Sequence, residues 1–269
     1  MLDDDAFRQV LNHLDRPWAG YRKIRKGVKK RVRRHMMALG CTTIDAYLYA
    51  IDRDPAARAE CVERLRVTIS RFFRDRQLWE QLRQRLLPTL AARFPIELNA
   101  WSAGCANGEE AYSLSMVWED LTAGIAPFPV LQILATDADM TGLHRAREGL
   151  YPISSLKEVP EHLRNRWFQK APGTAQWRVD NRLQERICWQ PHQLLESPPP
   201  GLFHLILLRN NLLTYYQGTR LKTAFERILA VLADGGILIV GSHEHLPPSQ
   251  VPLKRDPLCP WVFGTAEYG

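Results

Sequence analysis

The sequence of 269 residues has no long hydrophobic run and few cysteines, and both absences exclude classes of protein. The best apolar pieces, such as 205–208 and 236–240, are far shorter than the ~20 residues that cross a bilayer. The chain opens with three aspartates at 3–5 instead of basic residues and an apolar stretch, so we expect no secretion signal. The five cysteines are odd in number and scattered, which argues against a disulfide framework or a metal cluster and favours a reducing cytoplasm.

The remaining composition is that of an ordinary globular protein, with 45% hydrophobic and 24% charged residues. The formal net charge of +7 is concentrated between residues 22 and 34, which hold nine Lys or Arg and no acid. Ile24, Val28 and Val32 recur every four residues, which predicts a helix with one apolar stripe. The basic side chains then point to water or to an anionic partner, namely nucleic acid, anionic lipid or an acidic protein surface.

The chain is expected to have two parts. Residues 1–92 are helical in pattern, with a last helix from Arg76 to Leu87 that ends at Pro88. From residue 93 onward, short apolar runs alternate with helical patterns, which predicts an α/β domain with a doubly wound parallel sheet. The segment of about 151–185 contains prolines and a strand-like piece, and it interrupts the alternation as a small inserted subdomain.

Small residues and acids follow the first two predicted strands of the α/β domain. The first strand leads into a loop at 102–108 that contains Gly104 and Gly108, and Glu109 and Glu110 then begin a helix. Two carboxylates there would repel a phosphate and favour a cationic or neutral ligand, although acids also simply stabilise a helix N-terminus. Asp137 ends the second strand, where it can accept hydrogen bonds from a ribose or cap the next helix.

Together these loops predict an adenosine-containing cofactor without phosphates, and S-adenosylmethionine is such a molecule. In the helical half, Phe72 and Phe73 are expected in the core. Arg74 is expected either at the site or in a surface ion pair with Asp75 or a neighbour.

Six ordered motifs resemble those of the CheR family of chemotaxis-receptor glutamate methyltransferases. They are SRFFRD at 70–75, WSAGCANGEEAYSL at 101–114, ILATDAD at 133–139, AREGLYPISSLKEVP at 146–160, LLRNNLLTYY at 207–216 and GGILIVGSHEHL at 235–246. The resemblance implies an N-terminal all-helical domain, then a Rossmann-like S-adenosylmethionine-dependent methyltransferase domain with a small β-subdomain insertion. It also implies methyl transfer to glutamate side chains on receptor signalling helices, with S-adenosylhomocysteine as product.

The resemblance also implies roles for individual residues around the cofactor. They are Thr68, Ser70 and Arg74 at the methionine end and transfer site, Glu109 at the amino group, Asp137 at the ribose, Gln193 and Leu194 near the adenine, Asn210 and Asn211 beside the sulfonium, and Tyr215 over the reacting centre. Of these, Arg74 and Tyr215 are the predicted catalytic residues. No metal is expected.

The resemblance gives the basic helix a partner, the cytoplasmic domain of methyl-accepting chemoreceptors. Rows of receptor glutamates would meet a substrate-docking stripe formed by Arg22, Lys26, Lys30 and Arg33. We expect a cytoplasmic protein with no stable membrane insertion and no nucleic-acid partner, for which a monomer suffices. A nucleic-acid methyltransferase would need an Asn/Asp-Pro-Pro-Tyr-like motif where Arg-Asn-Asn-Leu stands at 209–212.

The chain departs from the family pattern at several positions. The family commonly has Asn and Thr at the positions of Thr68 and Ser70, Asn at Gln193, Asp at His204 and Pro at Ala111. The changes at Thr68, Gln193 and His204 favour one alternative, a catalytically weakened regulator that binds S-adenosylmethionine in a chemosensory-like pathway.

Overall fold

The computed structural model describes residues 2–67, 70–123 and 128–265. The chain divides into two compact units, one made of residues 1–67 with 212–221 and the other of residues 68–211 with 222–269. In the described ranges, no helix combines the length and the apolar character needed to span a membrane.

The first unit is helical. Its N-terminal helices are α1 (Asp4–His13), α2 (Trp18–Tyr21), α3 (Arg25–Ala38), α4 (Ile44–Arg53) and α5 (Pro55–Arg64). Side-chain caps explain three of the starts, because Asp3, Thr43 and Asp54 each accept a hydrogen bond from a backbone amide in the first turn.

The apolar stripe predicted on the basic helix faces the core of this unit. Val28 and Val32 are buried on α3, and Ile24 packs against the same cluster just before the helix begins. Phe7 and Tyr21 lie in that cluster, with ring centroids 6.0 Å apart. The prediction of one buried stripe is therefore confirmed.

A distant segment, 212–221, belongs to the helical unit, which no sequence pattern predicted. It contains α12 (Leu212–Tyr215) and the start of α13 (Gly218–Leu229). The Tyr215 ring lies 5.1 Å from that of Tyr21, and its carbonyl accepts a hydrogen bond of 3.1 Å from Arg16 Nη1. The Arg16 guanidinium also stacks 3.7 Å from the ring centroid of Tyr216.

The second unit contains two sheets. Its strands are β1 (Glu97–Ala103), β2 (Val130–Asp137), β3 (Leu150–Pro152), β4 (Phe168–Lys170), β5 (Gln176–Val179), β6 (Ile187–Pro191), β7 (Phe203–Leu208), β8 (Leu232–Val240), β9 (Lys254–Arg255) and β10 (Val262–Gly264). The large sheet has the order β6-β2-β1-β7-β8-β10-β9, and its first five strands run parallel. The strand order reverses at β1, so the switch point at which such sheets bind ligands lies between β1 and β7.

The second unit also contains helices. They are α6 (Arg76–Gln81), α7 (Leu87–Arg93), α8 (Glu109–Thr122), α9 (Met140–Glu148), α10 (Glu161–Trp167), α11 (Asn181–Gln184) and the rest of α13, with a π-helical turn at Leu82–Leu86 and a 3₁₀ turn at Ile153–Leu156. The expectation that Pro88 ends the helix was wrong. The π turn precedes it, and Pro88 lies at the start of α7, where its missing amide donor costs no helical hydrogen bond.

The small sheet confirms the predicted β-subdomain. Strands β3, β5 and β4 pair antiparallel within the segment that interrupts the α/β alternation. Phe72 packs against this subdomain, with its ring centroid 4.7 Å from that of Tyr151 and 5.1 Å from that of Phe168. Phe72 and Phe73 are both buried in the core, as expected.

The division of the structure falls between Val67 and Thr68, before α6 and α7, whereas the sequence predicted a boundary after residue 92. Leu78 of α6 and Leu90 of α7 share one hydrophobic cluster with the strands, which explains why these helices group with the sheet. The proposed assignment of 93–269 to the cofactor domain stays a prediction.

His204 lies at the amino end of β7, far along the strand from the carboxyl edge. Its Nδ1 accepts a hydrogen bond of 2.8 Å from the Asn99 amide, and its ring stacks on Phe94 at 4.1 Å. Burial lowers the pKa of this imidazole. The unfolded chain therefore takes up a proton at a higher pH than the folded one, so stability contributed by neutral His204 falls as the pH drops below about 6.5.

We expect His204→Asn to reduce the loss of stability in acid, because the Asn Oδ1 accepts the same hydrogen bond and does not titrate. Urea unfolding midpoints at about pH 7.5 and about pH 5.5 measure this loss. His144→Asn removes an exposed imidazole on α9 and serves as the control. An acid-induced loss that is the same in all three proteins would contradict the prediction.

Candidate functional site

The loop between β1 and α8 folds onto the end of β2. The amides of Gly104 and Cys105 both donate to the carbonyl of Thr136, each at 2.8 Å. Gly104 has a φ of +80°, and a Cβ there would collide with the side-chain amide of Asn211. This loop therefore needs glycine for its backbone conformation and for the close approach of the β7 loop.

Asp137 fixes the same loop from the end of β2. Its Oδ2 accepts from the Ala106 amide at 2.8 Å, and its Oδ1 accepts from the Asp139 amide at 2.8 Å. The helix cap is Asp139, which accepts from Thr141 at the start of α9.

Glu109 is the buried acid of the site. It begins α8 and is 2% exposed, and within the described part of the chain its Oε2 is buried without a hydrogen-bond partner. Burial raises the pKa of this carboxyl, and a hydrogen bond with Ser70 lowers it in part. A buried carboxylate oxygen with no partner fits the cationic amino group of an amino-acid tail, because burying an uncompensated charge is costly.

Two asparagines follow β7 and reach the neighbouring strand ends. The side-chain amide of Asn211 donates to the carbonyl of Ala103 at the end of β1. Asn210 has a φ of +55°, and its backbone amide donates to Glu244 Oε2 at 2.9 Å. The same oxygen accepts from the Gly241 amide at 2.7 Å. Glu244 lies in the last of the six motifs that resemble the family, but no role was predicted for it.

The loop after β6 lies beside Asp137. The His192 amide donates to the Asp137 carbonyl at 3.0 Å, which places the next two residues, Gln193 and Leu194, close to the end of β2. Leu194 is buried and Gln193 is half-buried. An apolar side chain and an amide are suitable groups for one face and one edge of an adenine.

Residues 70–75 form an irregular loop before α6. Phe73 and Asp75 adopt left-handed φ values of 53° and 65°, which cost roughly 1–2 kcal/mol each for residues other than glycine. The Phe73 amide donates to Ser113 Oγ on α8 at 3.0 Å, and Trp79 Nε1 donates to the Arg74 carbonyl at 2.8 Å. Asp75 makes its ion pair with Arg209, at 2.5 Å.

The structure thus brings Ser70, Glu109, Asp137 and the loops of Asn211 and Leu194 to one edge of the sheet. Thr68 lies outside the described residues. Tyr215 belongs to the helical unit, where it packs as described above.

The predicted docking residues also lie in the helical unit. Arg22, Lys26, Lys30 and Arg33 are exposed, as are Lys23 and Arg34. The other basic residues of the segment are engaged within the unit. Arg25 and Lys29 both bind Asp4, at 2.9 Å and 2.6 Å, and Arg31 donates to the carbonyls of Arg64 and Arg66.

The site combines a glycine loop after β1, an acid at the end of β2 and a buried carboxylate at the switch point of the sheet. This combination is typical of nucleoside-binding α/β proteins. Residues 68–256 match the family model described as "CheR methyltransferase, SAM binding domain". The chain belongs to this family, and it is an S-adenosylmethionine-dependent methyltransferase.

Curated relatives agree with this assignment. The chain is 32% identical over 226 residues to a probable chemotaxis protein methyltransferase of Rhizobium etli, which covers 81% of this chain and 84% of that protein. It is 29% identical over 219 residues to a chemotaxis protein methyltransferase of Listeria monocytogenes, which covers 81% of each. It is 33% identical over 187 residues to chemotaxis protein methyltransferase 1 of Pseudomonas aeruginosa, which covers 65% of each.

We expect Glu109→Gln to weaken S-adenosylhomocysteine binding about tenfold or more, because a hydrogen bond to a charged group is worth about 1.5–3 kcal/mol. Without ligand, the variant should be at least as stable as the natural protein, since it buries no charge. Calorimetric titration and urea unfolding measure the two effects. Glu161→Gln, in the exposed first turn of α10, is the matched control. Unchanged affinity in Glu109→Gln would contradict the role of this carboxylate.

Proposed function

We propose that this chain is a protein-glutamate O-methyltransferase that transfers a methyl group to glutamate carboxylates on the signalling helices of chemoreceptors. The observation that carries the proposal is the exposed basic surface of α3 and the turn before it, defined by Arg22, Lys26, Lys30 and Arg33. An acidic helical substrate complements such a surface in charge. The names of the relatives, chemotaxis protein methyltransferases, support a substrate in that pathway.

Methyl transfer to a glutamate carboxylate requires no proton transfer from the enzyme. A glutamate side chain has an ordinary pKa of about 4.3, so it is already ionised at neutral pH and needs no general base. Bound S-adenosylmethionine supplies an electrophilic methyl group on a sulfonium centre. The protein must then align the nucleophilic oxygen with that carbon and exclude water.

The residues at the carboxyl edge suit the parts of the cofactor. Glu109, together with Ser70, would bind the amino-acid tail, and Asp137 would accept from the ribose. Gln193 and Leu194 would contact the adenine, and Asn210 and Asn211 would lie beside the sulfonium. We include Thr68 at the methionine end on the family resemblance alone.

Arg74 and Tyr215 are the proposed catalytic residues. The Arg74 guanidinium would hold a carboxylate by paired hydrogen bonds, either that of the substrate glutamate or that of the cofactor. Tyr215 would orient the acceptor oxygen or line the methyl channel. The receptor partner, the absence of a nucleic-acid partner, the cytoplasmic location and the monomeric state stay predictions.

We expect Arg74→Ala to lose about 100-fold or more in methyl transfer while the fold survives, because misplacing a reacting group costs about that factor. Transfer of radiolabel from S-adenosylmethionine to a receptor signalling domain measures the effect. Arg71→Ala is the matched control in the same loop, because Arg71 is ion-paired with Glu158 at 3.0 Å. Near-normal turnover of Arg74→Ala would refute its assignment.

Docking through the basic surface predicts a steep salt dependence. Receptor-domain affinity should fall several-fold between about 50 and about 300 mM salt, because exposed charges are screened over a Debye length. The double variant Lys26→Glu/Lys30→Glu should bind weakly at low salt and show a flatter dependence.

The double variant Arg8→Glu/Arg53→Glu makes the same change of charge on α1 and α4 and should keep the salt dependence of the natural protein. Affinity that does not change with salt, or equal losses in both double variants, would count against docking at this surface. Surface-immobilised receptor domains provide the binding measurement.

A further inference from the structure

Arg209 is a buried cation at the carboxyl edge of the sheet. It follows β7 directly, and its side chain is 3% exposed. Nη2 binds Asp75 Oδ2 at 2.5 Å, and Nη1 binds Glu110 Oε2 at 2.9 Å. The family resemblance implies roles for Asn210, Asn211 and Tyr215 in the same motif but none for this arginine.

The guanidinium also holds the backbone of Arg74. Arg209 Nη2 donates to the Arg74 carbonyl at 3.3 Å, and Trp79 Nε1 donates to the same oxygen at 2.8 Å. Because Phe73 and Asp75 on either side have left-handed backbones, this loop depends on tertiary contacts to keep its conformation. Arg209 supplies two of those contacts.

The second carboxylate ties the loop to the start of α8. Glu110 accepts from Ser102 Oγ at the end of β1 at 2.8 Å, and its other oxygen binds Arg209. Glu110 also follows Glu109, the buried acid of the site. One guanidinium therefore links the loop of Arg74, the start of α8 and the ends of β1 and β7.

We propose that Arg209 is a positioning residue for methyl transfer, which fixes the backbone of Arg74 through Asp75 and the Arg74 carbonyl. The proposal rests on the role of Arg74 in the proposed function. Without Arg209, the carboxylates of Asp75 and Glu110 lose their shared counter-ion. The loop of Arg74 also loses the two contacts that connect it to the end of β7. A lysine cannot replace it, because one ammonium on a flexible stem lacks the planar fork that reaches both acids.

The first test compares Arg209→Lys with Arg85→Lys. Arg85 is the matched control, since its guanidinium binds Asp256 with two hydrogen bonds of 2.8 Å in the same unit. Arg209→Lys should lower kcat about tenfold or more and change the KM for a receptor domain less than about threefold, because alignment and not docking is disturbed. Arg85→Lys should keep kcat within about twofold.

A second variant keeps the proposal testable if Arg209→Lys does not fold. Asp75→Asn removes one charge of the pair at a side chain that is 36% exposed, and it should lower kcat in the same direction. The indole N–H of Trp79 reports on the loop without any substrate. Its NMR resonance should shift and exchange faster with solvent in Arg209→Lys and Asp75→Asn but not in Arg85→Lys.

A double-mutant cycle with Arg74→Ala separates a role through Arg74 from an independent one. If Arg209 acts through Arg74, adding Arg209→Lys to Arg74→Ala should change kcat less than about twofold. A double variant whose loss is the product of the two single losses would overturn the inference. A kcat of Arg209→Lys equal to that of Arg85→Lys, with Arg74→Ala inactive, would overturn this inference alone. Near-normal turnover of Arg74→Ala would instead remove the catalytic role of Arg74 on which this inference rests. Failure of the natural protein to methylate a receptor domain would contradict the proposed function.

Discussion

The parallel pairing of β1 with β2 and β7 is the constraint on which the site depends. Its register aligns Ala103 with Thr136 and Ser102 with Leu207, so the three strand ends reach the same edge. The hydrogen bonds from Gly104 and Cys105 to Thr136, and from Asn211 to Ala103, lie at that edge. A slip of one residue would turn each side chain of a strand to the opposite face and separate these loops.

Much of this edge could be predicted from the sequence, because short apolar runs that alternate with helices leave few arrangements. In a parallel sheet, the residues after each strand must meet, so the loops at Gly104, Asp137 and Asn210 could be grouped without coordinates. Local rules also sufficed for the buried stripe of α3. Which of Asp137 and Asp139 caps α9 needed the structure, which gives the cap to Asp139.

Contacts between residues far apart in the chain could not be predicted. Arg209 binds partners 134 and 99 residues away, and neither motif alone indicates such a pair. His204 departs from the family pattern, and that departure favoured the alternative of a weakened enzyme. The structure places it at the amino end of β7, where it serves the packing of the strand against Asn99 and Phe94.

Residues 212–221 group with the first 67 residues, although the family model of 68–256 runs through them. Gly20 illustrates how closely they pack, because an added Cβ would collide with the Thr214 carbonyl. The helical unit is therefore not a contiguous module that a single crossover between genes could exchange. A hybrid that joined the N-terminal part of one relative to the remainder of another would mismatch this internal surface, so the two stretches are expected to have diverged together.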